Sequence, residues 1–375
     1  MIILILNWRS IKDKLAGGAE LATFEYAKNW AMQKSAKVIW VSPVYKKGLK
    51  KEVIDGIEFN YLGIPLKRDS VIQMMFSVPL FYFLVLHRYL THYRKFVDVI
   101  IDQPHGIPYL TPLYSNKKIV VYIHEVAGDI WDKMYKFPVN KIGKTVEKLT
   151  FLPYKMRKIK FVTVSNSTKN DLVKLGIHKN AIEIVYNGVS LKPIQEKDVI
   201  KNKNLTVIYL NRIVKMKGIE RAIDVFAKVV KIDNNAFFHI VGYGDDEYIK
   251  YLKDKISKLK IEKNVKFWGF VDEKTKVRLL RESHVLINTS YKEGWGLVNI
   301  EANTQGTPAV SFDVSGNRES IKNGINGYVV RTEDDMVRKI LEIYKTNSLI
   351  KESIEYSKQF DWKKQSNKFY DILNE

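Results

Sequence analysis

The chain has 375 residues, enough for two domains with separate cores. A hydrophobic share of 46% and a charged share of 27% belong to a folded globular protein, and the absence of cysteine excludes disulfides, thiolate nucleophiles and Cys-ligated zinc. Lysine and arginine number 62 against 41 acids, a net charge of +21; residues 1–190 carry 29 against 15, or +14, which favours a polyanionic partner such as anionic lipid, nucleic acid or a phosphorylated substrate.

The amino terminus, Met1 to Leu6, is apolar but has no basic leader, and Asn7-Trp8-Arg9 ends the run. It reads as a first buried strand rather than a signal peptide, so a cytoplasmic protein is the default. Gly17-Gly18-Ala19-Glu20 follows, ahead of a helical pattern over Leu21–Met32. Paired glycines let a backbone approach a ligand closely, although such a pair is more often a plain turn. Short apolar runs then recur at Val38–Val41, Val99–Ile101, Ile119–Ile123 and Phe161–Val164. They resume at Val207–Leu210, Phe237–Val241, Val265–Phe267, Val285–Ile287 and Ala309–Phe312. Continuous apolar runs alternating with helical stretches predict parallel sheets covered on both faces, and two series predict two doubly wound domains.

Val71–Leu86 breaks the pattern, being apolar except for Gln73, Ser77 and Pro79, with Lys67-Arg68 before it and His87-Arg88 after it. It is shorter than the roughly 20 residues a spanning helix needs, so it is expected as a core or interface element. His124-Glu125 leaves the run Ile119–Ile123, where a histidine either binds sugar hydroxyls or serves structure. Residues 133–160 hold nine Lys and Arg against the single acid Glu147, with Phe151-Leu152-Pro153-Tyr154 among them.

The polar stretch 191–204 is the expected linker between residues 1–190 and 205–348, with residues 349–375 as a C-terminal helix. Asn211 to Gly218 follows the first strand of the second domain and carries Arg212 and Lys217, cations able to hold a diphosphate. Val241-Gly242-Tyr243-Gly244 fails as a dinucleotide fingerprint, because Glu247 stands where the third glycine would fall. The most informative segment is Ser290–Phe312, in which Glu293 and Glu301 are separated by seven residues across Gly294 and Gly296. Val285–Asn288 predicts a strand before it and Leu297–Thr304 a helix after it. Gly296, Leu297 and Val298 would then offer backbone N–H groups to a phosphate at a helix start. Glu293 at the strand's carboxyl end suits sugar hydroxyls.

The Ser290–Phe312 string resembles the E-x7-E signature of family 4 of the retaining glycosyltransferases (glycosyl transferases group 1). Asn211–Gly218 resembles that family's G-R-x-x-x-x-K-G element, with Asn211 replacing its first glycine. The resemblance implies a GT-B fold, α/β, with two doubly wound Rossmann-like domains facing a central cleft. It implies an N-terminal acceptor domain, a C-terminal nucleotide-sugar domain, and a last helix that crosses back. Arg212 and Lys217 would hold the diphosphate, Glu301 the ribose, and Glu293 the transferred sugar. His124 and the Gly17-Gly18 loop would complete the site from the other domain, with retention at the anomeric carbon. The chain has no Asp-x-Asp, which glycosyltransferases of the other major fold use to hold a metal. No metal or cofactor is expected beyond a nucleotide-diphosphate sugar as co-substrate.

The expected function is sugar transfer to a saccharide or lipid-linked acceptor in glycan, glycolipid or cell-surface polysaccharide synthesis. A sugar-nucleotide epimerase of the same fold, which needs no acceptor, is the alternative among enzymes. A basic nucleic-acid-binding protein is the alternative outside them, but the aromatic residues fall mostly in strand-like runs, so no nucleic acid is expected. The charge of residues 1–190, the basic stretch 133–160 and Val71–Leu86 together predict peripheral attachment to an anionic membrane, on the inner face of the cell membrane.

Overall fold

A computed structural model describes residues 1–13, 16–63, 71–104, 108–128, 131–132 and 136–375, the side chains of 71–76 excepted. Lys67, Arg68 and Lys133 lie outside the described residues. The chain forms two units, residues 1–188 with 362–375, and residues 189–361.

The first unit is built in chain order from β1 (Ile2–Asn7), α1 (Gly18–Gln33), β2 (Lys37–Pro43), β3 (Lys51–Ile54), β4 (Ile57–Leu62) and α2 (Val71–Thr91). It continues with β5 (Val99–Gln103), β6 (Lys118–Ile123), α3 (Val139–Thr150), α4 (Leu152–Met156), β7 (Lys160–Thr163), α5 (Asn166–Lys174) and β8 (Ile182–Ile184). The sheet order is β3-β4-β2-β1-β5-β6-β7-β8, parallel throughout except for the β3–β4 hairpin. β1 lies inside the sheet, and residues 3–6 are buried, as a run with no polar alternation requires. The hairpin turns on Asp55-Gly56, both at positive φ (48° and 80°), a conformation that fits a two-residue turn between twisted strands.

α2 runs to Thr91 and buries Phe81, Val85 and Tyr89, each four residues from the next, in the core of this unit. Leu80 and Phe83 point to solvent. The described part of Val71–Leu86 is therefore a core helix with one wet face. Phe151 and Tyr154, expected to add an apolar patch to the basic stretch, are 1% and 0% exposed and pack around Phe161 instead.

The second unit contains β9 (Thr206–Leu210), α6 (Ile219–Ile232), β10 (Phe237–Val241), α7 (Asp246–Lys258), β11 (Val265–Gly269), α8 (Glu273–Glu282) and β12 (Val285–Asn288). α9 (Leu297–Thr304), β13 (Ala309–Phe312), α10 (Ser315–Ser320), β14 (Gly327–Val330), α11 (Glu333–Thr346) and α12 (Ile350–Ser357) complete it, and α13 (Trp362–Asn374) returns the chain to the first unit. Its sheet order, β11-β10-β9-β12-β13-β14, is all parallel. Relabelled from its own first strand this is 3-2-1-4-5-6, the doubly wound order whose direction of winding reverses between β9 and β12.

Two boundaries differ from expectation. The stretch 191–204 is not a free linker: Leu191 is buried beside Ala302, and Ile194 donates its N–H to the Thr304 carbonyl at 2.9 Å. Lys201 donates to the Ser283 carbonyl at 2.5 Å and to Thr307 Oγ1 at 2.9 Å, and burial pushes its amine down to about 7. The helical pattern after residue 349 breaks before Trp362, so α12 stays with the second unit and only α13 joins the first. There Phe369 stands 5.1 Å from the Trp30 ring, and Trp30 donates its indole N–H to the Ser366 carbonyl at 3.1 Å.

Two histidines of the second unit work as neutral acceptors. His284 Nδ1 accepts the Thr206 N–H at 3.1 Å, and His239 Nδ1 accepts the Trp268 indole N–H at 2.9 Å. Burial pushes both down to about 4, with Lys201 beside one and Lys266 and Arg278 beside the other. The unfolded chain takes up protons near the ordinary value of about 6.5, so between there and 4 it binds more protons than the folded chain. Stability should therefore fall as pH drops through that window. Denaturant melts at pH 7, 5 and 4 should show this, with a shallower fall in His239→Gln/His284→Gln; parallel curves for both proteins would refute it.

Candidate active site

The reversal point between β9 and β12 organises the second unit's candidates. A parallel strand delivers the next residues to its carboxyl end, so the loop after β9 and the loop after β12 emerge side by side. The first carries Arg212 and Lys217; the second carries Glu293 and leads into α9.

The β9 loop is held by its backbone. Asn211 donates to the Val241 carbonyl at 3.1 Å, and Ile213 to the Tyr243 carbonyl at 2.8 Å. The Tyr209 hydroxyl donates to the carbonyls of Arg212 (3.3 Å) and Lys217 (3.2 Å). Val241–Gly244 therefore serves as a backbone rail for this loop. Gly218 closes it at φ 68° and caps α6. Among the described residues the half-buried Arg212 guanidinium has no ion-pair or hydrogen-bond partner, which leaves its donors for a ligand.

Lys217 and Glu293 meet. Lys217 Nζ lies 2.7 Å from Glu293 Oε1, with the side chains 21% and 11% exposed, and Ser290 Oγ donates to the same oxygen at 2.7 Å. The Glu293 carbonyl accepts the Gly316 N–H at 3.0 Å and the Ser315 hydroxyl at 3.3 Å, so the start of α10 fixes the loop from beyond β13. Below it lies a buried polar network. Asn288 Nδ2 donates to Asn299 Oδ1 (3.3 Å) and Asn317 Oδ1 (3.1 Å), and Asn299 Nδ2 donates to Asn317 Oδ1 (3.1 Å) and Ser320 Oγ (2.9 Å). Gly296 sits at φ 80° over this network, where a Cβ would come within 2.8 Å of Asn299 Nδ2. Satisfied buried amides are costly to disturb, so the network fixes where α9 begins.

The N–H groups of Leu297 and Val298 open α9, where no intrahelical acceptor exists, and both residues are only partly buried. Glu301 lies further along α9 and is held separately: Lys276 of α8 donates to its Oε1 at 2.9 Å, with Glu301 14% exposed. Among the described residues Glu301 makes no hydrogen bond to Arg212, Lys217 or Glu293.

The remaining three candidates belong to the first unit. Gly17 precedes α1 and donates its N–H to Glu20 Oε2 at 2.7 Å, while Gly18 is the first residue of that helix. Glu20 is 1% exposed, with Arg9 Nη1 at 3.7 Å from its other oxygen. His124 follows β6, half-buried, its ring 4.5 Å from that of Tyr122 and its carbonyl accepting the Thr168 hydroxyl at 3.0 Å. Among the described residues no group of three His, Asp or Glu side chains is gathered so as to hold a metal ion.

Sequence reasoning missed Lys276, Ser290, Arg9 and the three asparagines. Glu20 had a signal, since a glutamate three residues after a helix-opening glycine can accept that glycine's N–H. Lys276 had none, being one lysine of many on a surface helix.

Two doubly wound parallel sheets, the second with its cations and carboxylates at the winding reversal, define a GT-B glycosyltransferase fold. Sucrose-phosphate synthase from Thermosynechococcus elongatus superposes with a TM-score of 0.82 at 15% identity, covering 100% of this chain and 98% of that one. Residues 192–360 match the glycosyl transferases group 1 family, and residues 16–192 match glycosyltransferase family 4. A 41.2 kDa protein in the cps region of Klebsiella pneumoniae is 32% identical over 186 residues, 47% of this chain and 48% of the relative. The lipopolysaccharide 1,6-galactosyltransferase of Salmonella typhimurium is 29% identical over 199 residues, 52% of this chain and 53% of the relative. The chain thus spans about half the length of these two relatives.

Proposed function

We propose that this chain transfers a hexosyl group from a nucleotide-diphosphate sugar to an acceptor hydroxyl, with retention, in the synthesis of a cell-surface glycan or glycolipid. The observation that carries the reading is the Lys217–Glu293 pair at the winding reversal of a sheet whose family transfers sugars. In this reading Arg212 and Lys217 hold the diphosphate and offset the charge that grows on it as the glycosidic bond breaks. Donor binding draws Lys217 toward phosphate and frees Glu293 for hydroxyls of the transferred sugar. The N–H groups at Gly296, Leu297 and Val298 take a phosphate oxygen, and Glu301, oriented by Lys276, takes the ribose hydroxyls. His124 and Gly17-Gly18 are the first unit's candidates for sugar and acceptor recognition.

The displacement is front-face: the departing phosphate oxygen accepts the acceptor's proton, and the protein supplies position and positive charge. With cations in that role, no metal or cofactor is needed. The acceptor is a saccharide or lipid-linked saccharide. The excess charge of residues 1–190, +14, supports work at an anionic membrane surface.

Melting curves against a panel of nucleotide sugars test the donor, because a ligand bound only by the folded chain raises the melting temperature. One nucleotide family should stand out, and transfer from it should persist in excess EDTA. No stabilising donor would overturn the reading, isomerisation of the donor without acceptor would make the chain an epimerase, and activity lost to EDTA but restored by Mg²⁺ would overturn the metal-free chemistry.

A further inference from the structure

The surface-bound reading above leaves open which part of the chain meets the membrane. α3 answers it. Its inner face is fixed: Glu147, 3% exposed, accepts the N–H groups of Ala127 (2.9 Å) and Gly128 (3.0 Å) and the Trp131 indole N–H (3.2 Å). Gly143, one turn earlier on the same side, lies against that indole. With these anchors in place the helix cannot roll, and what it presents outward is set.

Outward it presents Val139, Ile142, Val146 and Leu149, 50%, 58%, 37% and 60% exposed. Their spacing of three, four and three residues puts them on one stripe of a helix. Phe137 before the helix and Leu152 and Met156 after it extend the apolar surface, at 80%, 47% and 75% exposed. A soluble surface rarely exposes so many large apolar side chains within so short a segment. Residues 136–160 also carry eight Lys and Arg against one acid, the buried Glu147. Lys136, Lys141, Lys148 and Lys158 make no ion pair among the described residues.

We propose that this face of α3, with Phe137, Leu152 and Met156, docks on an anionic lipid bilayer, its apolar stripe entering the interface and its lysines meeting lipid phosphates. The charge decides the occupant. A second copy of the same segment would set the unpaired Lys136, Lys141, Lys148 and Lys158 against the same four cations, whereas an anionic bilayer offers counter-charge and apolar depth together. Among the described residues no helix is long and apolar enough to cross a membrane, so the contact lies in the plane of the surface. Glu147 grips residues 127 and 128, just past His124, so docking also presents the His124 loop to the surface that carries a lipid-linked acceptor.

Sedimentation with vesicles tests this, using phosphatidylcholine alone and an equimolar mixture with phosphatidylglycerol. The whole chain should pellet with the mixture, stay in solution with phosphatidylcholine alone, and be released by salt. Ile142→Ser/Leu149→Ser should weaken binding by about tenfold or more without lowering the melting temperature, as both side chains are exposed. Lys141→Gln/Lys148→Gln should weaken binding at low salt, and Phe83→Ser, exposed on α2, should change nothing. Equal pelleting of wild type and the Ile142/Leu149 variant with the mixture would overturn the α3 face while leaving membrane attachment standing. No pelleting at all would overturn both. A wild-type dimer that the same substitutions dissociate would make the face an interface between copies and overturn the lipid assignment. A donor-induced rise in melting temperature that persists in the variant would show that glycosyl transfer stands or falls separately.

Discussion

Lys217→Ala should lower kcat/KM by about 10²–10³-fold, the range for removing one donor aimed at charge that develops in a transition state. Lys217 is 21% exposed, its only ion-pair partner among the described residues is Glu293, and no core cluster includes it, so the fold should persist. Among the described residues the variant leaves the Glu293 carboxylate with the Ser290 hydroxyl alone. If Lys217 serves the diphosphate, the loss appears with every acceptor and the nucleotide diphosphate product also binds more weakly. Glu301→Gln should act differently: it keeps the shape but loses the charge that pairs with Lys276 and receives the ribose, costing about 1.5–3 kcal/mol, mostly in KM. Steady-state kinetics with the donor found by melting curves, beside an unchanged circular dichroism spectrum, decide both. Rates within about twofold of wild type for the two variants would remove these residues from the site.

The second unit's candidates stand out in the sequence because they fall in two short strings, Asn211–Gly218 and Ser290–Phe312, and the fold brings Lys217 of one to Glu293 of the other. Their supports were not legible. Asn288, Asn299 and Asn317 come from a strand, a helix and a short later helix, and only the sheet brings their amides within hydrogen-bond reach. Lys276 reaches Glu301 from a helix 25 residues earlier in the chain. Strand existence was readable wherever a strand is buried on both faces, as in β1, β9 and β12, since such strands are written as unbroken apolar runs. β3 is different: Lys51 and Val53 are exposed and the run is half-wet, so the β3–β4 hairpin was missed although Asp55-Gly56 is a hairpin-turn signal. The stretch 191–204 misled for a related reason. A segment crossing a folded surface buries scattered residues such as Leu191 and satisfies its backbone one bond at a time, leaving no run to see. One support expected for the membrane reading fails in the same way. Phe151 and Tyr154 look like an apolar patch in sequence, yet they turn inward, while the helical spacing of Val139 to Leu149 carries the exposed stripe.

Gly218→Ala should be among the most damaging single methyls in the second unit. Gly218 holds φ 68°, where a side chain costs about 1–2 kcal/mol. A Cβ there would also come within 2.0 Å of the Thr289 carbonyl oxygen, a backbone atom with no flexible end to yield. Something must move, and both candidates matter. On one side is the loop that ends at Lys217. On the other is Thr289, whose hydroxyl donates to the Gly218 carbonyl at 2.7 Å and which adjoins Ser290, the partner of Glu293. The substitution therefore separates the two halves of the Lys217–Glu293 pair as well as straining the backbone. Overpacking of this kind adds about 1–3 kcal/mol. At roughly 2–4 °C per kcal/mol for a unit of this size, melting should fall by about 5–15 °C, and donor affinity should fall further than the lost stability accounts for. Gly324→Ala isolates the backbone part, because Gly324 also has positive φ (75°) but nothing within 4 Å of a new Cβ. It should lose stability through φ alone and keep its activity. If Gly218→Ala melts and turns over as Gly324→Ala does, the contact with Thr289 is not what holds the β9 and β12 loops in register, and the site's geometry must be set elsewhere.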